Sequence, residues 1–267
     1  MRGLVWILAA WLWAAGPWAG PWTWAAEAAP CRLALALGLD SSRSVDDRAH
    51  AVQTTGLVGA LFDPGIRALL LHPSGRVAVA VYEWSGRRQQ RLLADWRLIE
   101  TEDDIDRLAE ALVRHERAFF GQTAVGAALG WGRRLMGRAP DCEGRVIDLS
   151  GDGRNNEGPS PASIYARQDF DGITVNGLAI GGWESDILHY YETEVIRGSG
   201  AFAEYAPRAA DFPAAIRRKL LRELDPGLFG ALADPMRRRR NRRHGMRGLA
   251  RSGPAQPDPP GPRITSA

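Results

Sequence analysis

The chain has 267 residues, of which 45% are hydrophobic and 24% are charged. This composition is typical of a folded globular protein and excludes disorder along the whole chain. The formal net charge is +3, but the residues after Ala231 carry nine arginines against two aspartates, so that the segment before them is net acidic. The overall basic charge therefore describes a tail and gives no reason to expect a nucleic-acid-binding domain.

The N-terminus has the three parts of a secretory signal. Met1-Arg2 is a short positive start, residues 3–16 form an apolar run, and Ala26-Glu27-Ala28 offers a cleavage site of the A-x-A type. We therefore expect a signal peptide over residues 1–28 and a periplasmic or secreted mature protein. An uncleaved membrane anchor is the alternative, because residues 3–26 contain no charge and are long enough to span a bilayer.

Strand and helix patterns alternate through the middle of the chain. Four continuous apolar runs are typical of strands that are buried on both faces: Arg32–Leu39, Arg76–Glu83, Arg145–Leu149 and Gly172–Ile180. Six stretches have the periodicity of helices: Val45–Leu61, Glu102–Arg117, Ala124–Met136, Ser160–Asp169, Ser185–Arg197 and Ala209–Glu223. The alternation predicts an α/β doubly wound domain with a mostly parallel sheet and helices on both faces.

We expect this domain to occupy residues 29–231. The following segment, 232–267, is rich first in arginine and then in proline and glycine. Such a composition cannot bury enough apolar surface to order itself, and we expect a disordered tail. Its arginines could make weak, salt-sensitive contact with an anionic membrane.

Cys31 and Cys142 are the only cysteines, and in an exported protein two cysteines are more often bonded than free. Cys31 precedes Asp40 by nine residues and Cys142 precedes Asp152 by ten. If both aspartates end neighbouring parallel strands, both cysteines begin them and can approach to disulfide distance. Two buried thiols are the alternative.

Oxygen-bearing side chains cluster where predicted strands end or helices begin. Asp40, Ser42 and Ser44 form a D-x-S-x-S pattern after the first strand, Thr123 lies at a helix start, and Asp152 follows a later strand. Ligands of open parallel sheets bind beyond the carboxyl ends of the strands, and Mg²⁺ prefers oxygen ligands. Serine capping of a helix would explain the pentapeptide alone about as well.

These three segments, in this order, resemble the metal-ion-dependent adhesion site of von Willebrand factor A domains, written D-x-S-x-S, T-x-x-x-G and D-G. Thr123 and Gly126 are one residue closer than in that pattern. The chain further resembles the DUF1194 family, bacterial proteins of unknown function that contain this domain. That resemblance lies in VIDLSGDGRNN at 146–156, YYETEVIRGSGAF at 190–202 and AIRRKLLREL at 215–224. It implies one antiparallel edge strand, at Arg91–Trp96.

The resemblance also implies roles for the oxygen donors. The hydroxyls of Ser42, Ser44 and Thr123 would bind Mg²⁺ or Mn²⁺, and Asp40 and Asp152 would bind it directly or through water. A cation with few carboxylate ligands can accept a carboxylate from another protein. We therefore expect a non-enzymatic binding domain that engages an acidic residue of a partner protein. A metal-dependent hydrolase and an assembly domain that does not use the metal are the alternatives.

Other motifs give weaker signals. The sequence contains no G-x-S-x-G nucleophile motif. No zinc spacing is present among the five histidines, and we expect each of them at the surface or in the core: His50, His72, His115, His189 and His244. Asn155 and Asn156 could line the cation site, although turn propensity explains them equally well.

Overall fold

The computed structural model describes residues 30–182 and 184–225. The predicted signal peptide at 1–28, the predicted tail at 232–267 and the expected domain boundaries at 29 and 231 lie outside the described residues. Within the described ranges, no helix combines the length and the apolar character needed to cross a membrane.

Within residues 30–182 and 184–225, six strands form one sheet in the order β3-β2-β1-β4-β5-β6. β3 is antiparallel to β2, and every other neighbouring pair is parallel. The strands are β1 Cys31–Asp40, β2 Arg76–Trp84, β3 Gln90–Ile99, β4 Gly144–Gly151, β5 Thr174–Ile180 and β6 Ala203–Ala206. The predicted doubly wound sheet is confirmed, including its antiparallel edge strand.

In the described part of the chain, seven α-helices connect and cover the strands. They are α1 Asp47–Leu61, α2 Pro64–Leu70, α3 Glu102–Val113, α4 Val125–Met136, α5 Pro161–Arg167, α6 Ile187–Tyr190 and α7 Phe212–Leu224. A π-helical turn, Tyr191–Val195, continues α6, and a 3₁₀ turn, Ala209–Asp211, precedes α7.

The helices differ from the sequence prediction at three places. The short helix α2 was not predicted; Asp63 caps it by accepting hydrogen bonds from the amides of Gly65 and Ile66. The predicted helix Glu102–Arg117 ends at Val113. The predicted helix Ser185–Arg197 contains only α6 and the π-helical turn.

The central strand β1 separates two hydrophobic layers. Its leucines, such as Leu35, pack in the layer that contains buried residues of α1, α3 and α7. Its alanines, such as Ala36, lie in the opposite layer, which contains buried residues of α4. Because side chains alternate across a strand, this Leu/Ala pattern lets helices cover both faces of the sheet. The strand thus holds its carboxyl end in a fixed place between two packed layers.

A disulfide joins Cys31 at the start of β1 to Cys142 before β4, with an S–S distance of 1.97 Å and a Cα–Cα distance of 4.5 Å. The predicted pairing is confirmed, and the alternative of two thiols is wrong. The bond ties together the amino ends of two neighbouring strands. Disulfides persist in oxidising compartments, so the bond fits an exported protein.

A buried ionic group lies between β4 and α7. Lys219 Nζ is 3.0 Å from Asp148 Oδ1 and 2.5 Å from Glu223 Oε1, and Asn176 Nδ2 donates to the same Glu223 oxygen at 2.6 Å. One ammonium therefore faces two carboxylates. Burial, opposed by the positive charge of Lys219, raises the pKa of Asp148 to about 7.

We predict that Asp148→Asn flattens the pH dependence of stability. The pKa of Asp148 is higher in the folded protein than the value of about 3.9 expected in the unfolded chain. Its contribution to stability is therefore fully present below about pH 4 and is lost as pH rises through 7. Urea unfolding between pH 4 and 8 should show a smaller loss of unfolding free energy in Asp148→Asn than in wild type. The exposed control Asp171→Asn should retain the wild-type slope, and equal slopes in all three proteins would contradict this assignment.

Candidate metal centre

The site lies where β1 and β4 end side by side. Asp40 is the last residue of β1, and Asp152 follows Gly151, the last residue of β4. The two strands are paired in parallel, so both aspartates reach the same edge of the sheet. The amide of Asp152 donates to Asp40 Oδ2 at 3.4 Å.

The loop after β1 turns its serines toward these aspartates. The amide of Ser42 donates to Asp40 Oδ1 at 2.7 Å, which bends the chain as it leaves the strand. Ser42 Oγ and Ser44 Oγ lie 3.2 Å apart, and Ser44 Oγ donates to Asp152 Oδ1 at 2.5 Å. The alternate positions of the D-x-S-x-S pattern therefore face one point.

Thr123 completes the set from a second loop. Its Oγ1 donates to Ser42 Oγ at 3.3 Å. The amide of Thr123 donates to Asn156 Oδ1 at 2.9 Å, and the amide of Gly126 donates to Asn155 Oδ1 at 3.0 Å. The two asparagines thus bind the backbone of the loop that carries Thr123. The structure brings together all five predicted site residues.

The capping explanation of these hydroxyls is wrong. Helix α1 is capped by Asp46, whose side chain accepts from the amide of Ala49, and not by Ser44. The residue before α4 is Ala124, and this helix has no side-chain cap. The hydroxyl of Ser44 instead donates to Asp152, and that of Thr123 donates to Ser42.

The glycine at position 126 is required by close packing. A Cβ atom on Gly126 would lie 2.1 Å from the carbonyl oxygen of Pro159 and 2.9 Å from that of Ser160. The start of α4 therefore approaches the backbone before α5 more closely than any side chain would permit. The glycine of this motif places α4, and with it the loop of Thr123.

The two carboxylates have little compensating positive charge. Burial and the nearby charge of Asp152 raise the pKa of Asp40 to about 7, and burial also raises the pKa of Asp152. In the part of the chain that the structure describes, neither carboxylate forms an ion pair. Arg117, which lies nearby, donates from Nη2 to the carbonyl oxygens of Ser41 and Ser42 at 3.0 and 2.9 Å. It stabilises the outside of the loop and leaves the carboxylates without a direct cationic partner.

The donor set fits a divalent cation. Oxygens that bind Mg²⁺ at adjacent octahedral positions, each about 2.1 Å from the ion, are about 3 Å apart. The hydroxyl of Ser42 lies 3.2 Å from that of Ser44 and 3.3 Å from that of Thr123. Two buried carboxylates without an ion-pair partner among the described residues can supply, when ionised, the negative charge that a cation requires. Both the spacing and the chemistry of the residues therefore suit a divalent cation.

An open cavity of about 170 Å³ lies beside the oxygen donors. Ser44 and Asp152 line it, together with Gln53, Gly181 and Arg208. Ser44 is itself exposed. The site is thus accessible from solvent on the side of Ser44 and Asp152, although Asp40 and Ser42 are buried.

A second cluster of possible ligands has no counterpart among the sequence motifs. His50, Glu83 and His115 place one ligand atom each within 4.8 Å of one another, a group that could hold a metal ion. These residues lie on α1, on β2 and after α3. Zinc motifs in sequences consist of closely spaced ligands, whereas these three are more than thirty residues apart. No local signal reveals this group.

Solved structures identify the class of fold. A von Willebrand factor type A protein from Catenulispora acidiphila has a TM-score of 0.53 at 17% identity, over 73% of this chain and 43% of that chain. Proximal thread matrix protein 1 from the mussel byssus, with a zinc-occupied MIDAS motif, has a TM-score of 0.51 at 16% identity, over 73% and 46%. The pilus adhesin SpaC from Lactobacillus rhamnosus GG, in its open conformation, has a TM-score of 0.51 at 13% identity, over 74% and 31%. The fold is that of a von Willebrand factor A domain.

The family follows from a match over most of the chain. The model of the family described as "Protein of unknown function (DUF1194)" matches residues 30–227, and the chain belongs to this family. No curated protein matches the chain. The chain spans less than half of the length of the three solved structures given above.

We predict that Gly151→Ala destabilises the protein through the site. Its Cβ would lie 2.6 Å from the hydroxyl of Tyr191 and 2.9 Å from Asp40 Oδ2, and such overpacking costs about 1–3 kcal/mol. The control is Gly59→Ala in α1, where a Cβ meets nothing within 4 Å. This change should stabilise the helix by up to about 1 kcal/mol. Urea unfolding measures both, and equal stability of the two variants would show that the packing around Gly151 is less tight than described.

Proposed function

We propose that this protein is an exported, non-enzymatic binding domain that uses Mg²⁺ or Mn²⁺ to engage an acidic residue of a partner protein. The observation that carries the proposal is the convergence of two uncompensated aspartates and three hydroxyls at the carboxyl edge of the sheet. Asp40, Ser42, Ser44, Thr123 and Asp152 would hold the cation, which supplies, when bound, a Lewis-acidic position for one further oxygen ligand.

The charge of the donor set favours an anionic partner. Two carboxylates balance a divalent cation, and the three remaining side chains are neutral hydroxyls. These residues therefore leave the loaded site without excess negative charge, so that an incoming carboxylate is not repelled. A third carboxylate in the set would weaken this attraction.

The open cavity beside the site also supports binding of an acidic side chain from a partner. The cavity beside Ser44 and Asp152 offers room for a short side chain. Arg208 lines this cavity, although its guanidinium is paired with Asp211 at 3.0 and 3.1 Å. An aspartate or glutamate of a partner would enter on this side of the site, beside the ion pair of Arg208 and Asp211.

Proteins of the same fold support a binding role. One solved neighbour is a matrix protein of the mussel byssus with a zinc-occupied MIDAS motif, and another is a pilus adhesin. We propose an extracytoplasmic location, periplasmic or secreted, from the predicted signal peptide at 1–28, and the disulfide between Cys31 and Cys142 supports it.

We predict that Mg²⁺ or Mn²⁺ raises the thermal stability of the wild-type protein above its value in EDTA. A ligand that binds only the folded state adds about 2.7 kcal/mol at one hundred times its dissociation constant. Asp40→Ala/Asp152→Ala should abolish this increase, whereas the exposed control Asp171→Ala should retain it. An increase that survives in the double variant would place the cation elsewhere.

Partner chemistry is tested by selecting displayed peptides on the immobilised protein in Mn²⁺ and eluting them with EDTA. We expect the selected peptides to share an acidic residue, and the change of that residue to its amide should abolish binding. Peptides that bind equally in EDTA would favour an assembly domain that does not use the metal. Peptides without an acidic residue would contradict the proposed mode of recognition.

A further inference from the structure

His50, Glu83 and His115 form a compact group away from the oxygen donors described above. His115 Nε2 and Glu83 Oε2 lie 2.8 Å apart, and the ring centroids of His50 and His115 are 6.1 Å apart. All three ligand atoms lie within 4.8 Å of one another. Two imidazoles and one carboxylate are a ligand set found in zinc enzymes, where a water completes the tetrahedron.

Glu83 is a buried carboxylate whose negative charge is only partly compensated. Its side chain is 0% exposed, and its only ion-pair partners among the described residues are His115 and Arg91. Arg91 Nη2 lies 3.2 Å from Glu83 Oε1, but this oxygen accepts no hydrogen bond within the described structure. A buried carboxylate requires a closely placed cation. For Glu83, Arg91 meets this requirement only in part, because it forms no hydrogen bond to Oε1.

A cavity gives the group its access. Its volume is about 300 Å³, and His50 and His115 line it beside Thr54, Val58 and Arg117. A metal ion that bound both imidazoles and Glu83 would therefore have room for a water on the cavity side. Arg117 does not occupy that position, because its guanidinium donates to Asp47 and to the loop carbonyls after β1.

We propose that His50, Glu83 and His115 form a second metal site, which takes Zn²⁺. Imidazole ligands suit zinc, whereas sets made only of carboxylate, hydroxyl and water oxygens suit Mg²⁺ and Mn²⁺. The two sites of this protein therefore differ in the metal that they select. This proposal does not depend on the binding function proposed above.

Metal binding at this site would break the contact between Arg91 and His115. Its Nη2 contacts His115 Nδ1 at 2.9 Å. When His115 Nε2 binds a metal ion, Nδ1 carries the proton. The N–H of Nδ1 and the N–H of Arg91 Nη2 are then both donors and repel each other. The side chain of Arg91 is 45% exposed on the edge strand β3, so it can move into solvent. Removal of this guanidinium should consequently strengthen metal binding.

The visible absorption of bound Co²⁺ distinguishes this site from the site formed by the oxygen donors. Tetrahedral Co²⁺ with nitrogen ligands absorbs visible light far more strongly than octahedral Co²⁺ with oxygen ligands. We expect one equivalent of strongly absorbing Co²⁺ in the full-length protein in excess Mg²⁺, and Zn²⁺ should displace it. His50→Gln and His115→Gln should each weaken Co²⁺ binding by at least about tenfold. The exposed control His189→Gln and the variant Asp40→Ala/Asp152→Ala should retain the strong absorption.

Arg91→Gln gives the proposal a second test that does not weaken the ligands. It should bind Co²⁺ more tightly than wild type. Circular dichroism of each variant separates loss of the site from loss of the fold, and His50, which is only partly buried, tolerates substitution better than a core residue. Absence of strong absorption in both wild type and Arg91→Gln, or strong absorption that both histidine variants retain, would overturn the proposal.

Discussion

The burial of two like charges at one edge of the sheet is the constraint on which the site depends. Asp40 and Asp152 end or follow neighbouring parallel strands, and burial raises the pKa of both carboxyl groups. Uncompensated burial of charge is unfavourable, and no arginine or lysine of the described ranges pairs with either group. Ser44 donates its hydroxyl to Asp152, and Arg117 donates to the carbonyl oxygens of Ser41 and Ser42 and to Asp47 but to neither of these two aspartates. We propose that a divalent cation supplies the missing charge.

Most of the sheet and the oxygen donors could be predicted from the sequence because their signals are local. Continuous apolar runs mark β1, β2, β4 and β5, and each donor lies directly beside such a run or beside a helix start. Parallel strands end at the same edge of the sheet. Residues that follow different strands can therefore be predicted to lie close together, although they are distant in sequence. Cys31 and Cys142 were predicted by the same reasoning at the opposite edge, and the structure confirms their bond.

Features that depend on tertiary packing could not be predicted in this way. Helix α2 has only seven residues, too few for a reliable helical period. The segment Ser185–Arg197 has a helical pattern, but it forms one short helix and a π-helical turn. The ring of Tyr191 in this turn packs against Gly177 of β5, at 2.4 Å from where a Cβ would lie, a contact that the sequence does not reveal. The group of His50, Glu83 and His115 exists only through the folding of three separate elements.

The claim that a cation completes the oxygen site can be tested most directly by diffraction. Crystals of the protein grown with MnCl₂ should give an anomalous difference peak enclosed by Asp40, Ser42, Ser44, Thr123 and Asp152. Such a peak would show that the buried carboxylates and the hydroxyls form one metal site. The lack of a peak at these five residues, with the hydrogen bonds described here still in place, would contradict the account, whether or not Mn²⁺ binds elsewhere.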